Sequence, residues 1–195
     1  MQLTRTSLAD VLLLTPRRFG DDRGWFSETW NKQALADAGL GIDFVQDNQS
    51  LSAEAGTVRG LHFQSPPAAQ AKLVRVVAGA ILDVAVDIRR GSPTFGAWVG
   101  VELSAENGAQ LLIPAGFLHG FVTRTPDTQV LYKVDAHYAP EHDGAVRFDD
   151  PDLGIDWGID PGSAVLSRKD AEAMAFRDLQ TPFVFDTAAG APAAG

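Results

Sequence analysis

An imidazole, an ammonium and a carboxylate occur within three successive apolar segments of this sequence. His62 lies in RGLHFQ, Lys72 begins KLVRVVA, and Asp83 lies in ILDVAVDI. Small β-barrels direct alternate side chains into a lumen, where these three groups could meet. Such a group of side chains can transfer protons. A lone histidine in a strand is more often structural, so His62 by itself does not establish a function.

The segment RGLHFQ mixes charged and apolar residues along one predicted strand. Successive side chains of a regular strand point to opposite faces. One face then carries Arg59, Leu61 and Phe63, and the other carries Gly60, His62 and Gln64.

Tyr132 is one of two tyrosines and lies in the middle of VLYKVDAHY. Most tyrosines in strands bury the ring and hydrogen-bond the hydroxyl group. A phenol that faces a polar lumen can instead act as a general acid. The sequence leaves both interpretations open.

In the segment PAGFLHGF, His119 follows a Pro-Ala-Gly turn at the start of a predicted strand. This PxGxxH spacing is similar to the second half of a cupin metal motif. A transition metal needs three or four imidazole or carboxylate ligands. The four histidines stand at positions 62, 119, 137 and 142, so no pair has the HxH spacing of the first half. We therefore expect no metal, although a metal-dependent cupin remains the alternative enzyme class.

Two charged segments allow a structural and a functional interpretation. In FGDDRGWFSE, residues 19–28, Trp25 and Phe26 could help fill the core, or Arg23 could grip a phosphate with its planar guanidinium. In SRKD, residues 167–170, Ser167 can cap a helix, and the three charged residues that follow it can be explained as ordinary surface charges.

These residues need a β framework to position them, and the sequence predicts one. The residue counts of 19 Gly and 11 Pro suit a chain with many turns. Strands are predicted over residues 43–49, 58–64, 72–78, 81–88, 97–103, 110–113, 118–124 and 130–138. Short helices are predicted over 31–38, with Gly39 and Gly41 as stops, and over 167–176.

In the strand 81–88, one face carries Leu82, Val84, Val86 and Ile88, and the other carries Ile81, Asp83, Ala85 and Asp87.

This pattern predicts an all-β antiparallel jelly-roll barrel with a few short peripheral helices. We expect one domain over residues 1–186 and a disordered tail over 187–195, because the tail has nothing to bury. The short apolar run near the start is too brief for a signal peptide or a membrane span, so we expect a soluble, cytoplasmic protein.

Composition excludes several classes of function. The 195 residues carry a net charge of −9, which disfavours nucleic-acid binding and docking on an anionic membrane. The absence of cysteine excludes disulfides, thiolate zinc sites and cysteine nucleophiles. Any phosphate must be bound by a local basic pocket.

Taken together, the segments resemble the sugar-nucleotide epimerase family typified by dTDP-4-dehydrorhamnose 3,5-epimerase. The matching stretches run in order from Phe19 to Asp170. They are FGDDRGWFSE, FVQDNQS, RGLHFQ, AKLVRVVAGAILDVAVDIRRGSPTFG, IPAGFLHGF, VLYKVDAHYAPEHD, FDDPDLGIDW and LSRKD. The resemblance implies a metal-free cupin-like fold, a homodimer, no cofactor, and epimerisation of a dTDP-4-keto-6-deoxy sugar at C3 and C5 within dTDP-L-rhamnose biosynthesis.

The resemblance also implies roles for individual residues. His62 is the base, Asp170 holds its second nitrogen, Lys72 stabilises the enolate oxygen, and Tyr132 returns a proton on the opposite face. Asp83 is a second carboxylate in the lumen. The substrate-binding positions are Phe19, Arg23, Phe26, Glu28, Gln46, Asn48, Arg59, His119, Tyr138, Asp143 and Lys169. Arg23 and Glu28 reach across from the partner subunit.

Two departures from the family pattern leave contacts open. Asp143 stands where the family often has a glutamate, one methylene longer, and Arg168 beside Lys169 makes the choice of basic residue ambiguous. The alternatives are an epimerase that inverts one centre of a related 4-keto sugar nucleotide, and a sugar-binding β-sandwich without catalysis.

Overall fold

The computed structural model describes residues 1–186 and builds them chiefly from antiparallel strands. The strands are β1 (Gln2–Arg5), β2 (Leu12–Thr15), β3 (Arg18–Asp21), β4 (Gly24–Ser27), β5 (Gln46–Ser52), β6 (Val58–Gln64), β7 (Lys72–Ala78), β8 (Ala80–Asp87), β9 (Trp98–Ser104), β10 (Gln110–Ile113), β11 (Phe117–Thr123), β12 (Thr128–Val134) and β13 (Asp143–Ala145). The α-helices are α1 (Lys32–Asp37) and α2 (Arg168–Ala171). The tail predicted to be disordered, 187–195, lies outside the described residues.

Two sheets form the body of the fold. One has the strand order β1-β2-β10-β7-β12-β5, the other has the order β13-β6-β11-β8-β9, and β3 and β4 form a separate hairpin. Apolar side chains from both sheets meet in a buried core that includes Val74, Leu111, Val130, Ala85 and Phe121. Sheets that bury one face against each other in this way form the jelly-roll type of sandwich, as the sequence predicts.

The strand β8 shows why the alternating pattern positions a site. Leu82, Val84, Val86 and Ile88 pack into a second core on the outer face of their sheet. Asp83 comes from the opposite face and points between the sheets, where it meets His119. The predicted alternation of this strand is therefore confirmed.

Long-range pairing shifts several predicted boundaries. The strands predicted over 43–49 and 130–138 are observed as β5 and β12, and the two pair in a register that joins Thr128 to Ser52 and Val134 to Gln46. The helix predicted over 167–176 ends at Ala171, with Ser167 as its N-cap. It ends early because residues 172–176 turn back to the sheet, where Met174 O accepts a hydrogen bond from Arg147 N.

The hairpin of β3 and β4 does not contribute to the core. Trp25 is 59% exposed and Phe26 is 70% exposed, so the structural interpretation in which both fill the core is wrong. The physical reason is that this two-stranded hairpin lies outside both sheets. Within residues 1–186, no helix is long and apolar enough to cross a membrane.

Candidate active site

The space between the sheets opens into a cavity with two adjoining lobes, of about 370 Å³ and about 290 Å³. His62 from β6, Lys72 from β7 and Tyr132 from β12 line both lobes. Arg59, His119 and Asp170 also line the first lobe. Gln46, Asn48, Tyr138, Asp143 and Lys169 also line the second. The fold thus brings together eleven of the sixteen predicted site residues around one cavity, and Asp83 stands directly behind it.

A β-bulge in β6 decides which side chains reach this cavity. His62 pairs with His119, and Arg59 pairs with Phe121, so three steps along β6 match two along β11. The extra residue breaks the alternation of the strand and turns Arg59 toward the cavity together with His62. The prediction that placed Arg59 on the face opposite His62 is therefore wrong.

Gly60 allows this bulge to form. Its φ is +126°, and a Cβ at this position would lie only 2.5 Å from Gly120 Cα. A side chain would therefore clash with the backbone of β11, so only glycine permits this close approach. The guanidinium of Arg59 is then held by Ser52 Oγ, 3.2 Å from Nε, and by the carbonyl oxygen of Leu51, 3.0 Å from Nη2.

His62 forms a hydrogen-bonded pair with the carboxylate of Asp170. The distance between His62 Nε2 and Asp170 Oδ1 is 2.5 Å. Burial alone would raise the pKa of Asp170, but the hydrogen bond and charge of His62, with the Ser167 hydroxyl group, lower it below its ordinary value. The ionised carboxylate accepts the Nε2 hydrogen, which leaves His62 Nδ1 with a lone pair that can take a proton.

A second pair, His119 and Asp83, stands directly beside the first. His119 and His62 are opposite one another on neighbouring strands, and His119 Nε2 lies 2.6 Å from Asp83 Oδ1. Burial lowers the pKa of His119, against the opposing effect of Asp83. The imidazole of His119 is therefore neutral at pH 7 and donates its Nε2 hydrogen to the carboxylate.

Lys72 supplies a positive charge to the cavity. Burial lowers its pKa from the ordinary 10.5 to about 8, and the negative charges of Asp83 and Asp143 oppose this decrease. Among residues 1–186, the ammonium group has no ion pair within 4.0 Å and no hydrogen-bond partner. A desolvated cation without a fixed partner can stabilise a negative oxygen that develops nearby.

Tyr132 faces the imidazole of His62 from the other sheet. It lies on β12, next to β7, so its ring enters the cavity on the same side as Lys72. Burial raises the pKa of its hydroxyl group above the ordinary value of 10.0, and the charge of Arg59 only partly offsets this. The phenol is therefore protonated at neutral pH and can act as an acid.

The second lobe of the cavity is lined by polar groups that contact one another. Tyr138 donates a hydrogen bond from its hydroxyl group to Asp143 Oδ2, at 3.3 Å, and Asp143 also accepts a hydrogen bond from Lys169. Arg168 points elsewhere and pairs with Glu172. The structure therefore places Lys169, rather than Arg168, at the cavity.

Four predicted binding residues do not reach the cavity of their own chain. Phe19, Arg23, Phe26 and Glu28 belong to the β3 and β4 hairpin or follow it directly. All four are exposed. Arg23 instead pairs with Asp21, at 2.5 Å.

The sequence interpretation missed Ser50, and it predicted Ser167 only as a helix cap and not as a partner of Asp170. Ser50 lines the first lobe and its hydroxyl group has no hydrogen-bond partner among residues 1–186, and Ser167 Oγ donates to Asp170 Oδ2 at 2.9 Å. Ser50 shares its face of β5 with Gln46 and Asn48, so period-two alternation could have found it. Within residues 1–186, no three metal-ligating side chains are grouped to hold a metal ion.

Comparison with known proteins gives one consistent family. The sequence profile of dTDP-4-dehydrorhamnose 3,5-epimerase matches residues 5–178. The chain is 52% identical to the dTDP-4-dehydrorhamnose 3,5-epimerase of Sinorhizobium fredii over 189 residues, which cover 95% of this chain and 94% of that protein.

Solved structures with bound ligands share the fold. The dTDP-6-deoxy-D-glucose-3,5-epimerase of Legionella pneumophila, in complex with dTDP-4-keto-L-rhamnose, is similar with a TM-score of 0.87 and 42% identity, covering 91% of this chain and 94% of that one. A 3'-monoepimerase of Streptomyces bikiniensis, in complex with dTDP-quinovose, is similar with a TM-score of 0.82 and 35% identity, covering 88% and 86%.

Proposed function

The chain belongs to the dTDP-4-dehydrorhamnose 3,5-epimerase family, and we propose that its cavity converts dTDP-4-dehydro-6-deoxy-D-glucose to dTDP-4-dehydro-L-rhamnose through an enolate. The observation that carries this proposal is the arrangement of His62 and Tyr132 on opposite sheets, with Lys72 beside them. The enzyme is an isomerase of dTDP-L-rhamnose biosynthesis.

The chemistry follows from the position of the ketone. Carbons 3 and 5 of the sugar both flank the C4 carbonyl, so removal of either proton gives an enolate whose charge rests on the C4 oxygen. Return of a proton to the other face inverts the centre. Substrate and product have the same oxidation state, so the reaction needs no net oxidant or reductant.

Each part of this reaction has a group in the cavity. His62 Nδ1 removes the proton, and Asp170 stabilises the imidazolium that forms. Lys72 stabilises the enolate oxygen, and Tyr132 delivers a proton from the opposite sheet. Arg59 binds the diphosphate, which explains how an acidic protein accepts an anionic substrate. The other residues that bind the substrate from this chain are His119, Gln46, Asn48, Tyr138, Asp143 and Lys169.

A coupled assay tests the proposal. Purified protein is incubated with dTDP-4-dehydro-6-deoxy-D-glucose, a 4-ketoreductase specific for the epimerised sugar, and NADPH. Oxidation of NADPH that depends on the protein supports the proposal. Turnover that requires stoichiometric iron or manganese and stops with a chelator would favour the metal-dependent alternative.

The pH dependence of kcat/KM should report the protonation of Lys72. Enolate stabilisation needs the ammonium form, which predominates below the pKa of about 8 and is lost above it. We therefore expect kcat/KM to fall as pH rises through about 8. Lys72→Arg keeps its charge well above this range, so its profile should stay flat there at a lower overall rate. The same basic limb in both proteins would contradict this assignment.

We also propose that the enzyme is a cytoplasmic homodimer. In this dimer the β3–β4 hairpin of each subunit reaches the active site of the other subunit. Phe19 and Phe26 pair across the hairpin, are 52% and 70% exposed, and line neither lobe of the cavity between the sheets. An exposed aromatic pair with a nearby arginine suits a nucleotide and its phosphates in a neighbouring subunit. This arrangement would place Arg23 and Glu28 at the partner's active site.

Mixed dimers test this exchange. Arg23→Ala and His62→Ala subunits, each with little activity alone, are expressed together with different tags. If Arg23 acts in the partner's cavity, each mixed dimer keeps one intact site, and the total activity recovers to about a quarter of the native value. No recovery in purified mixed dimers would show that Arg23 acts within its own subunit.

A further inference from the structure

Asp83 is a buried carboxylate with one oxygen unpaired. Its side chain is 0% exposed. Oδ1 lies 2.6 Å from His119 Nε2, whereas Oδ2 has no hydrogen-bond partner among residues 1–186. A buried charged atom without a partner is costly, so its presence in a native site calls for an explanation.

His119 does not neutralise this carboxylate. Because burial lowers the pKa of His119, its imidazole is uncharged at pH 7 and contributes a neutral hydrogen bond. The negative charge of Asp83 therefore needs a cation from another element of the fold.

Lys72 is the cation that meets this need. It lines both lobes of the cavity, and no carboxylate of residues 1–186 forms an ion pair with its ammonium group. Of the charges that favour its protonated form, Asp83 contributes most, followed by Asp143, while Lys169 acts against them. The other titratable groups around this part of the cavity are His62, His119, Tyr132, Asp170 and Arg59.

We propose that Asp83 is a positioning residue that keeps Lys72 charged and holds its ammonium group at the wall of the cavity, beside the C4 oxygen of the substrate. In this arrangement Asp83 acts through Lys72 and does not touch the reacting atoms. Asp83 Oδ2 has no other donor among residues 1–186, so the charge of this carboxylate acts on the ammonium group of Lys72 across the space between them. The inference rests on the proposed function, because it takes Lys72 as the cation of the enolate step.

The variant Asp83→Asn removes the charge but retains an oxygen that can accept the hydrogen bond from His119. We expect the basic limb of kcat/KM to move to lower pH by about one unit, because Lys72 loses its main counter-charge. The variant should therefore lose more activity at pH 8 than at pH 6.5. In a Lys72→Arg background, the same substitution should have an effect that does not vary with pH. A loss by the same factor at every pH in the Lys72 enzyme would overturn the inference.

A titration without substrate separates this inference from the proposed function. The ammonium resonance of Lys72 is followed by NMR of protein labelled with ¹⁵N-lysine and is assigned by its absence in Lys72→Arg. We expect it to titrate near pH 8 in the native protein and at lower pH in Asp83→Asn. An unchanged titration would overturn the inference even in an active epimerase. A shifted titration in a protein without epimerase activity would refute only the proposed function.

Asp87→Asn is the matched control for both experiments. Asp87 is also fully buried and lies on the same face of β8, but its carboxylate is paired with Arg89, Ser92 and Thr94, and it lines neither lobe of the cavity. We expect this substitution to lower stability and to leave the titration of Lys72 in place. A shift as large as that of Asp83→Asn would mean that any loss of a buried charge on β8 disturbs Lys72.

Discussion

Replacing His62 with alanine is expected to lower kcat by about 10²-fold to 10⁴-fold, the scale of losing a general base. No other imidazole can replace it, because His119 offers its Nε2 hydrogen to Asp83 and stands beside the position of His62 rather than in it. Steady-state kinetics in the coupled assay measure the effect. Circular dichroism should show an unchanged fold, since His62 is partly exposed and contributes no packing to a core.

His137→Ala is the matched control for this variant. His137 is exposed and lines neither lobe of the cavity, so its removal should leave kcat within about twofold of the native value. Near-native turnover by His62→Ala would refute the assignment of the base, and it is the result expected of a sugar-binding protein without catalysis.

Replacing Tyr132 with phenylalanine is expected to separate proton exchange from inversion. The variant retains the ring but loses the hydroxyl group, which in the proposed reaction returns the proton from the sheet opposite His62. Formation of the L-sugar should fall by at least about 10²-fold. Proton removal by His62 continues, so substrate recovered from D2O should still gain deuterium.

Both readouts come from one NMR sample, so exchange serves as the internal control for folding and substrate binding. If Tyr132→Phe forms the L-sugar at the native rate, another group is the acid. If the native enzyme inverts C3 and leaves C5 unchanged, the chain is a single-centre epimerase, like the related 3'-monoepimerase of similar fold.

The sequence predicts well the parts of this site that depend on regular alternation. The alternation of β8 predicts that Asp83 lies on the face opposite Leu82 and Val84, and the structure confirms this division of the two faces. The prediction that Ser167 caps a helix also depends only on nearby residues, and the structure confirms it. Such features depend on neighbours within a few residues, so periodicity and propensity are sufficient to find them.

The sequence interpretation fails where a distant contact decides the local structure. Arg59 reaches the cavity because Gly60 packs against Gly120, a contact that alternation within one strand does not reveal. The helix after Ser167 stops at Ala171 because Met174 pairs with Val146 instead. In both cases a tertiary contact overrides the local pattern.

The hairpin is a different case, because its aromatic side chains belong to none of the apolar cores that residues 1–186 form. The guanidinium groups of Arg17 and Arg18 stack on Phe19 and Trp25. Trp25 and Phe26 have the composition of core residues, yet both are exposed. Exposed aromatic groups of this kind are typical of surfaces that contact another molecule. The mixed-dimer experiment tests whether that molecule is a second subunit.

The central claim is that His62 removes a proton from carbon beside the C4 ketone. The most direct test is ¹H NMR of dTDP-4-dehydro-6-deoxy-D-glucose incubated in D2O with the native enzyme and with His62→Ala at equal concentration. We predict that the native enzyme introduces deuterium at both C3 and C5, and that the variant introduces it at neither within the same time. Equal deuterium incorporation by the two proteins would contradict the claim.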